Sequence, residues 1–211
     1  DSLSMTQKYG KKKVLAPGTV IISAAGEVAD VKKTVSPVLQ NVKSSLYYID
    51  FGGGELQLGG SALAQSLGRV GDKAPQACPA TVAAAFNAVQ RLVEGKMLLA
   101  AHDISAGGLV TTLLEMCFAN VNGGLDINLD NLGTDLVKVL FAENPALVVQ
   151  VAAGKTRAVE RLMAQAGVRF VHIGQPHSER TITIEHSGEQ YMFFIDHLRD
   201  VWYKSSFLLE R

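Results

Sequence analysis

Ala101-His102-Asp103-Ile104-Ser105-Ala106-Gly107-Gly108 joins two segments of different character. Before it, Met97 to Ala101 is a short apolar run of the kind a buried strand shows. After it, Leu109 to Ala119 reads as a helix that ends at the turn signal Asn122-Gly123-Gly124. A buried strand that passes through a polar, glycine-rich turn into a helix is one unit of a layered fold of strands and helices.

The same alternation extends outward in both directions. Upstream, Thr19 to Ala25 and Ser45 to Asp50 read as strands, and the second runs into Gly52-Gly53-Gly54 and the short helical pattern Ala62 to Leu67. Pro79 to Glu94 reads as a long helix, with proline in its first turn and Gly95 just past its end. Val82, Phe86, Val89 and Val93 recur on it at helical spacing. Downstream come a strand at Leu125 to Leu129, a short helix at Thr134 to Leu140 and a strand at Ala146 to Val151. Thr156 to Ala166 reads as an amphipathic helix and Val168 to Ile173 as a strand. Thr181 to Ile184 and Tyr191 to Phe194 form a hairpin through Ser187-Gly188, and Asp196 to Leu209 is a closing helix. Strands and helices are mixed, and the late hairpin adds antiparallel neighbours. The pattern predicts a mixed α/β or α+β sandwich with helices covering a sheet.

Composition narrows the function. The 211 residues suit one sizeable domain, and Lys+Arg and Asp+Glu both number 20, so the chain lacks the basic surplus that marks nucleic-acid binders. The Lys11-Lys12-Lys13 run reads as a solvated stretch, and residues 1–17, ending at Pro17, read as a linker. No apolar run approaches the roughly 20 residues that span a bilayer. The start, Asp1-Ser2-Leu3-Ser4-Met5, has no apolar core of a signal peptide, and the expectation is a cut inside a longer protein. Cys78 and Cys117 are far apart, which argues against a thiolate zinc site or a disulfide framework and fits a reducing cytoplasm.

Two loops carry the candidate chemistry. At a strand-to-helix entrance, the Asp103 carboxylate can help hold a hard cation such as Mg2+, and Ser105 can meet a phosphate or a ribose. Gly107 and Gly108 leave backbone N–H groups open to an anion. The alternative for Asp103 and Ser105 is simple helix capping. Gly59-Gly60-Ser61, before the helix at Ala62, is a candidate phosphate loop or a tight connection; it matches neither the P-loop nor the dinucleotide fingerprint. His102 reads as structural, with acid–base work as the alternative; Glu143-Asn144 reads as a turn at a strand entrance, with lining a site as the alternative; and His172, His177, His186 and His197 show no ligand spacing. Cys117 reads as a buried small hydrophobe, and Trp202, Tyr203 and Phe207 as core or interface packing.

Several segments together resemble a known family. They are Val31-Lys32-Lys33-Thr34-Val35-Ser36-Pro37, Leu58-Gly59-Gly60-Ser61-Ala62-Leu63-Ala64-Gln65, Gly71-Asp72-Lys73, His102 to Leu109, Leu114-Glu115-Met116 and Leu198-Arg199-Asp200-Val201-Trp202. From residue 15 to 211 the chain resembles the C-terminal-type domain shared by aminoimidazole ribonucleotide synthetase, selenide–water dikinase and thiamine-monophosphate kinase. It is most similar to the second such domain in the family of large single-chain phosphoribosylformylglycinamidine synthases. Residues 1–14 resemble the tail of a preceding domain followed by a linker.

The resemblance implies a three-layer α-β-α sandwich. It also implies a chain that makes formylglycinamidine ribonucleotide from formylglycinamide ribonucleotide, glutamine and ATP. In that family this half belongs to an auxiliary site that holds a magnesium nucleotide, ATP or ADP, without turning it over. Asp103 matches the metal-binding aspartate, Ser105 the nucleotide contact beside it, and Gly107 and Gly108 the glycines of the same motif. The family motif often reads His-Asp-Arg-Ser-Asp-Gly-Gly; Ile104 and Ala106 stand here for its Arg and second Asp. The remaining metal ligands would come from a preceding ATP-binding domain. The glutaminase Cys-His-Glu set would come from a further domain, so neither Cys78 nor Cys117 is its nucleophile. Within the same resemblance, a purely structural docking domain and a small-molecule kinase are the alternatives.

Overall fold

The structure is a computed structural model and describes residues 2–3, 6–15, 19–71 and 73–209. Asp1, Ser4, Met5, Pro17, Asp72 and the side chain of Phe207, all named above, lie outside the described residues. The chain forms two compact units, Asp1–Lys32 and Lys33–Arg211.

In the first unit, β1 (Ser2–Leu3), β2 (Thr6–Tyr9), β3 (Lys12–Leu15) and β4 (Thr19–Val20) make two small antiparallel ladders, β1 with β4 and β2 with β3. Regular pairing thus occurs where composition predicts a linker, and the lysine run is exposed at the turn and start of β3. The strand expected over Thr19 to Ala25 is a strand only at Thr19–Val20. Val20, Ile21 and Ile22 are 69%, 54% and 86% exposed. β-branched residues favour strands when they have a packed surface to lie on, and these do not.

The second unit carries β5 (Ser44–Asp50), α1 (Ala62–Ser66), α2 (Pro79–Glu94), β6 (Leu98–Asp103), α3 (Gly108–Phe118), β7 (Gly124–Asn128), α4 (Leu136–Phe141) and β8 (Ala146–Ala152). It continues through α5 (Thr156–Gln165), β9 (Phe170–His177), β10 (Thr181–His186), β11 (Glu189–Phe194) and α6 (Ile195–Leu209). The strands form one seven-stranded sheet in the order β11-β10-β7-β9-β5-β8-β6. Only the β10–β7 pair is parallel.

Strand side chains alternate between the two faces, and here each face has its own core. Leu46 and Tyr48 of β5, with Val148 of β8, pack with Leu109, Leu113, Met116 and Cys117 of α3, Leu140 of α4 and Ile195 of α6. Tyr47 and Ile49 of β5, with Val149 and Val151 of β8, pack on the other face with Ala85, Ala88, Val89 and Leu92 of α2 and Val159, Leu162 and Met163 of α5. The result is the three-layer α-β-α sandwich that the resemblance implies. Gln150 of β8 is fully buried; its Oε1 accepts from Gln40 N at 2.8 Å and its Nε2 donates to Ser44 Oγ at 2.8 Å. A buried amide needs such partners, and this one ties the strand to the segment that leads into β5.

Helix α2 has the ends that Pro79 and Gly95 predict, but its buried face is Ala85, Ala88, Val89 and Leu92. Phe86, read as part of the apolar stripe, is 55% exposed. The helix turns its small residues to the sheet, and the larger Phe86 falls on the flank. The β10–β11 hairpin turns through Ser187 and Gly188, both at positive φ, as a two-residue hairpin turn requires. Asp130 Oδ1 accepts from Ser187 N and holds the non-glycine residue there.

The register decides where the chemistry sits. Asp50, the last residue of β5, pairs with Ala146, the first of β8, and Asp103, the last of β6, pairs with Leu147. The loops that leave β5 and β6 and the one that enters β8 therefore meet at one end of the sheet.

Leu113 is fully buried on α3. Leu113→Ala is expected to lower unfolding free energy by about 2–5 kcal/mol in urea titration. Phe86→Ala on the exposed flank of α2 should cost less than about 1 kcal/mol. Equal losses for the two would place Phe86 in the core after all.

Candidate functional site

The glycine-rich loop between β5 and α1 is held along its length by three side chains. Asp50 is 6% exposed, and its Oδ1 accepts from Gly52 N and Gly53 N, both at 2.9 Å, turning the chain as it leaves the strand. The Arg169 guanidinium lies 3.6 Å from Asp50 Oδ2. Asn144 is 2% exposed; its Oδ1 accepts from Gln57 N at 3.1 Å and its Nδ2 donates to Glu55 O at 2.9 Å. Glu143 Oε1 accepts from Ala62 N at 2.7 Å, at the loop's far end. The same oxygen accepts from Gly107 N at 2.9 Å, so one carboxylate also reaches the turn that opens α3.

The candidate phosphate loop lies inside this frame. Gly59 N donates to Lys73 O at 2.7 Å, Gly60 N to Val70 O at 2.6 Å and Ser61 N to Leu58 O at 3.1 Å. Ser61 Oγ caps α1, accepting from Ala64 N at 3.2 Å. A Cβ on Gly59 would lie 2.2 Å from Lys73 C, so the two chain segments cross as closely as only glycine permits. In this conformation all three N–H groups of Gly59, Gly60 and Ser61 have acceptors within the protein.

The second turn has a different character. Asp103 is the last residue of β6, with a side chain 72% exposed, and its main-chain oxygen accepts from Thr112 Oγ1 at 3.0 Å. Ser105 is also exposed, and its carbonyl accepts from Gly108 N at 3.0 Å. Gly107 is the N-cap of α3 and has no side chain to offer, so the capping role open to Asp103 and Ser105 is filled by neither. Gly108 sits at φ +73°, and a Cβ there would lie 2.6 Å from Leu140 O and 2.7 Å from Phe141 Cα. What approaches this glycine is the end of α4, in a close packing of two helices.

His102 stands between two carboxylates. Its Nδ1 is 3.4 Å from Asp103 Oδ1 and its Nε2 is 3.3 Å from Glu115 Oε2, with the ring 18% exposed. No group of three or more His, Cys, Asp or Glu side chains that could hold a metal ion occurs among the described residues. The Asp103 carboxylate and the Ser105 hydroxyl are hard oxygen donors facing solvent. They suit a one-carboxylate share of a Mg2+ ion whose other ligands are phosphate oxygens, water or another domain.

The other singled-out residues lie elsewhere. Burial pushes the Cys117 thiol up to about 12, in keeping with an inert small hydrophobe. Cys78 is exposed ahead of α2, where the Thr81 backbone N–H holds its thiol below the usual value. His186 is buried with Nε2 2.8 Å from Gly133 O, a structural contact. Trp202 is 57% exposed and lies against Phe118, with ring centroids 5.5 Å apart; this is surface packing, and the core alternative for it fails. Asp50, Glu143 and Asn144 are the residues whose work the sequence hides. The available signal was an acid–amide pair directly before a buried strand.

The sequence profile of the family "AIR synthase related protein, C-terminal domain" matches residues 51–186. The chain belongs to this family. The match takes in both glycine turns and the Glu143-Asn144 pair. Over its whole length the chain is 35% identical to human phosphoribosylformylglycinamidine synthase, of which it covers 16%. It is 36% identical to the probable chloroplastic/mitochondrial phosphoribosylformylglycinamidine synthase of Arabidopsis thaliana, of which it covers 15%. The chain thus spans about one sixth of the length of these relatives. Among solved structures, T. maritima PurL complexed with ATP superposes on 80% of this chain and 28% of its own, with a TM-score of 0.62 and 14% identity. The hydrogenase maturation protein HypE in complex with ATP superposes on 83% of this chain and 54% of its own, with a TM-score of 0.52 and 16% identity. At such identities these two likenesses speak for the family fold.

In this family member, Asn144→Ala would strand Gln57 N and Glu55 O in a partly buried loop. It is expected to lower unfolding free energy by about 1–3 kcal/mol, with faster amide exchange at residues 55–57. Unchanged stability would mean that the loop is held by its own turns alone.

Proposed function

We propose that this chain is a domain of a phosphoribosylformylglycinamidine synthase, and that its Asp103–Ser105 turn supplies one half of an auxiliary magnesium-nucleotide site. The whole protein would be an ATP-dependent carbon–nitrogen ligase of purine biosynthesis, working in the cytoplasm. It would convert formylglycinamide ribonucleotide, glutamine and ATP to formylglycinamidine ribonucleotide, glutamate, ADP and phosphate. The identity to the human and plant synthases along the full chain supports the assignment.

One observation carries the local role. At the sheet end where three loops meet, the N–H groups of Gly59, Gly60, Ser61, Gly107 and Gly108 are taken up by internal acceptors, yet the Asp103 carboxylate and Ser105 stay open to solvent. Asp103 would give one carboxylate oxygen to the ion and Ser105 a hydroxyl to a phosphate oxygen. Mg2+ commonly binds through one or two carboxylates plus nucleotide phosphates, and when bound it neutralises phosphate charge. His102, between Asp103 and Glu115, would hold the carboxylate's orientation. The preceding ATP-binding domain would complete the site, and a separate glutaminase domain would supply ammonia. On this reading the 211-residue chain alone neither turns over substrate nor holds nucleotide tightly.

A docking role is the second reading. It is favoured by a groove of about 610 Å3 lined by Pro37, Val38, Phe118, Ala119 and Trp202 among others.

The two readings part in the full-length protein. Asp103→Asn is expected to lose co-purifying nucleotide, and with it the linkage stabilisation of about 2.7 kcal/mol that a ligand at a hundred times its Kd confers. Nucleotide content by anion-exchange chromatography and Tm by calorimetry read both effects. Equal content and equal Tm in variant and wild type would leave only docking.

A further inference from the structure

The Glu143 carboxylate bonds to the backbone at both glycine turns. It stands in the four-residue connection between α4 and β8, and its Oε1 takes two backbone N–H groups from different parts of the chain. One belongs to Ala62, the first residue of α1, and the other to Gly107, the N-cap of α3. The distances, 2.7 and 2.9 Å, are those of charge-assisted hydrogen bonds, which are about twice as strong as neutral ones. Neither N–H has an acceptor within its own helix, because both lie at helix starts.

We propose that Glu143 is a positioning residue that couples the Gly59–Ser61 turn to the Asp103–Gly108 turn, so that the nucleotide-facing turn has its working shape only when the glycine loop is seated. Three further features make the coupling stiff. Asn144, the next residue, grips Gln57 and Glu55 in the same loop. Pro145 follows, restricts the conformation of Asn144 and fixes its own φ. Phe51 N donates to Pro145 O at 2.9 Å, and Ile104 N to Ala146 O at 2.9 Å. The segment 143–146 is thus a splint bonded on one side to the β5–α1 loop and on the other to the β6–α3 turn. Ser105 lies in that second turn, between Ala146's bond to Ile104 and Glu143's bond to Gly107, and Asp103 immediately precedes that span as the last residue of β6. A shift of Glu143 moves one end of the span that carries Ser105 and begins next to Asp103.

The part of this inference that concerns nucleotide rests on the proposed role of Asp103; the mechanical coupling does not. The test uses the full-length protein with Glu143→Ala, Glu143→Gln and Glu143→Asp. Amide hydrogen exchange is followed in peptides covering 59–65 and 104–110, with 146–152 as the internal control. In Glu143→Ala, both turn peptides should exchange about tenfold faster, the loss expected when a charged acceptor leaves two N–H groups, while the control stays unchanged. Glu143→Gln keeps an oxygen at the same reach and should restore most of the protection; Glu143→Asp, one methylene shorter, should not. Acceleration of one turn alone, of neither, or equal behaviour of the Gln and Ala variants would overturn the coupling.

Mg-ADP affinity, measured by calorimetry on the same proteins, should fall about fivefold or more in Glu143→Ala and recover in Glu143→Gln. If Asp103→Asn leaves Mg-ADP affinity unchanged while Glu143→Ala still loosens both turns, the nucleotide reading falls and the coupling stands. If Asp103→Asn weakens Mg-ADP and Glu143→Ala loosens neither turn, the coupling falls and the nucleotide reading stands.

Discussion

The antiparallel register of β5 on β8, and of β8 on β6, is the constraint on which the site depends. Side chains along a strand alternate faces, so a one-residue slip would exchange the contents of the two cores. Here Tyr47 and Ile49 face α2 and α5, while Leu46 and Tyr48 face α3. Both sets are buried, and only one register satisfies both. That register sets Asp50 beside Ala146 and Asp103 beside Leu147. The residues just before β8 then have no choice but to lie between the two glycine turns. The hydrophobic layers thereby determine which polar groups can meet.

The site shows how one region can be rigid and still available to a ligand. The N–H groups of Gly59, Gly60, Ser61, Gly107 and Gly108 are, in this structure, bonded to carbonyl oxygens and to Glu143. An internal carboxylate at such a position stabilises the helix start as a bound anion would. The exposed groups are the oxygens of Asp103 and Ser105, which suit a cation and its phosphates. The glycines themselves serve close packing: Gly59 against Lys73 and Gly108 against the end of α4.

Much of the element order was legible because it is local. The ends of α2 follow from Pro79 and Gly95, the β10–β11 turn from Ser187-Gly188, and β8 from an apolar run interrupted by Gln150 alone. The sandwich followed from the mixture of the two periods. What local pattern could not show is pairing at a distance. The side chains that organise the glycine loop come from 81 to 89 residues away and meet backbone N–H and C=O groups, which carry no signature of residue type. Nothing in the identity of Ala62 or Gln57 announces such a partner. Val89 of the expected stripe on α2 is buried, but Phe86 was misplaced because Ala85 and Ala88 take the positions against the sheet. The short ladders of the first unit were missed because polar, exposed strands carry no hydrophobic period.

The place of β5 in the sheet also bears on how the chain comes into being. It is the first strand of the second unit to be synthesised, yet its neighbours β8 and β9 begin only at Ala146 and Phe170, the nearer of them about a hundred residues later. At ribosomal speeds of roughly 5–20 residues per second, it waits on the order of 5–20 seconds for a partner. During that interval Leu46, Tyr47, Tyr48 and Ile49 form an apolar stretch with two open edges, the situation in which strands pair with the wrong chain. Sheet closure through such distant contacts is intrinsically slow. This interior strand is thus the segment most in need of shielding while the chain is being made.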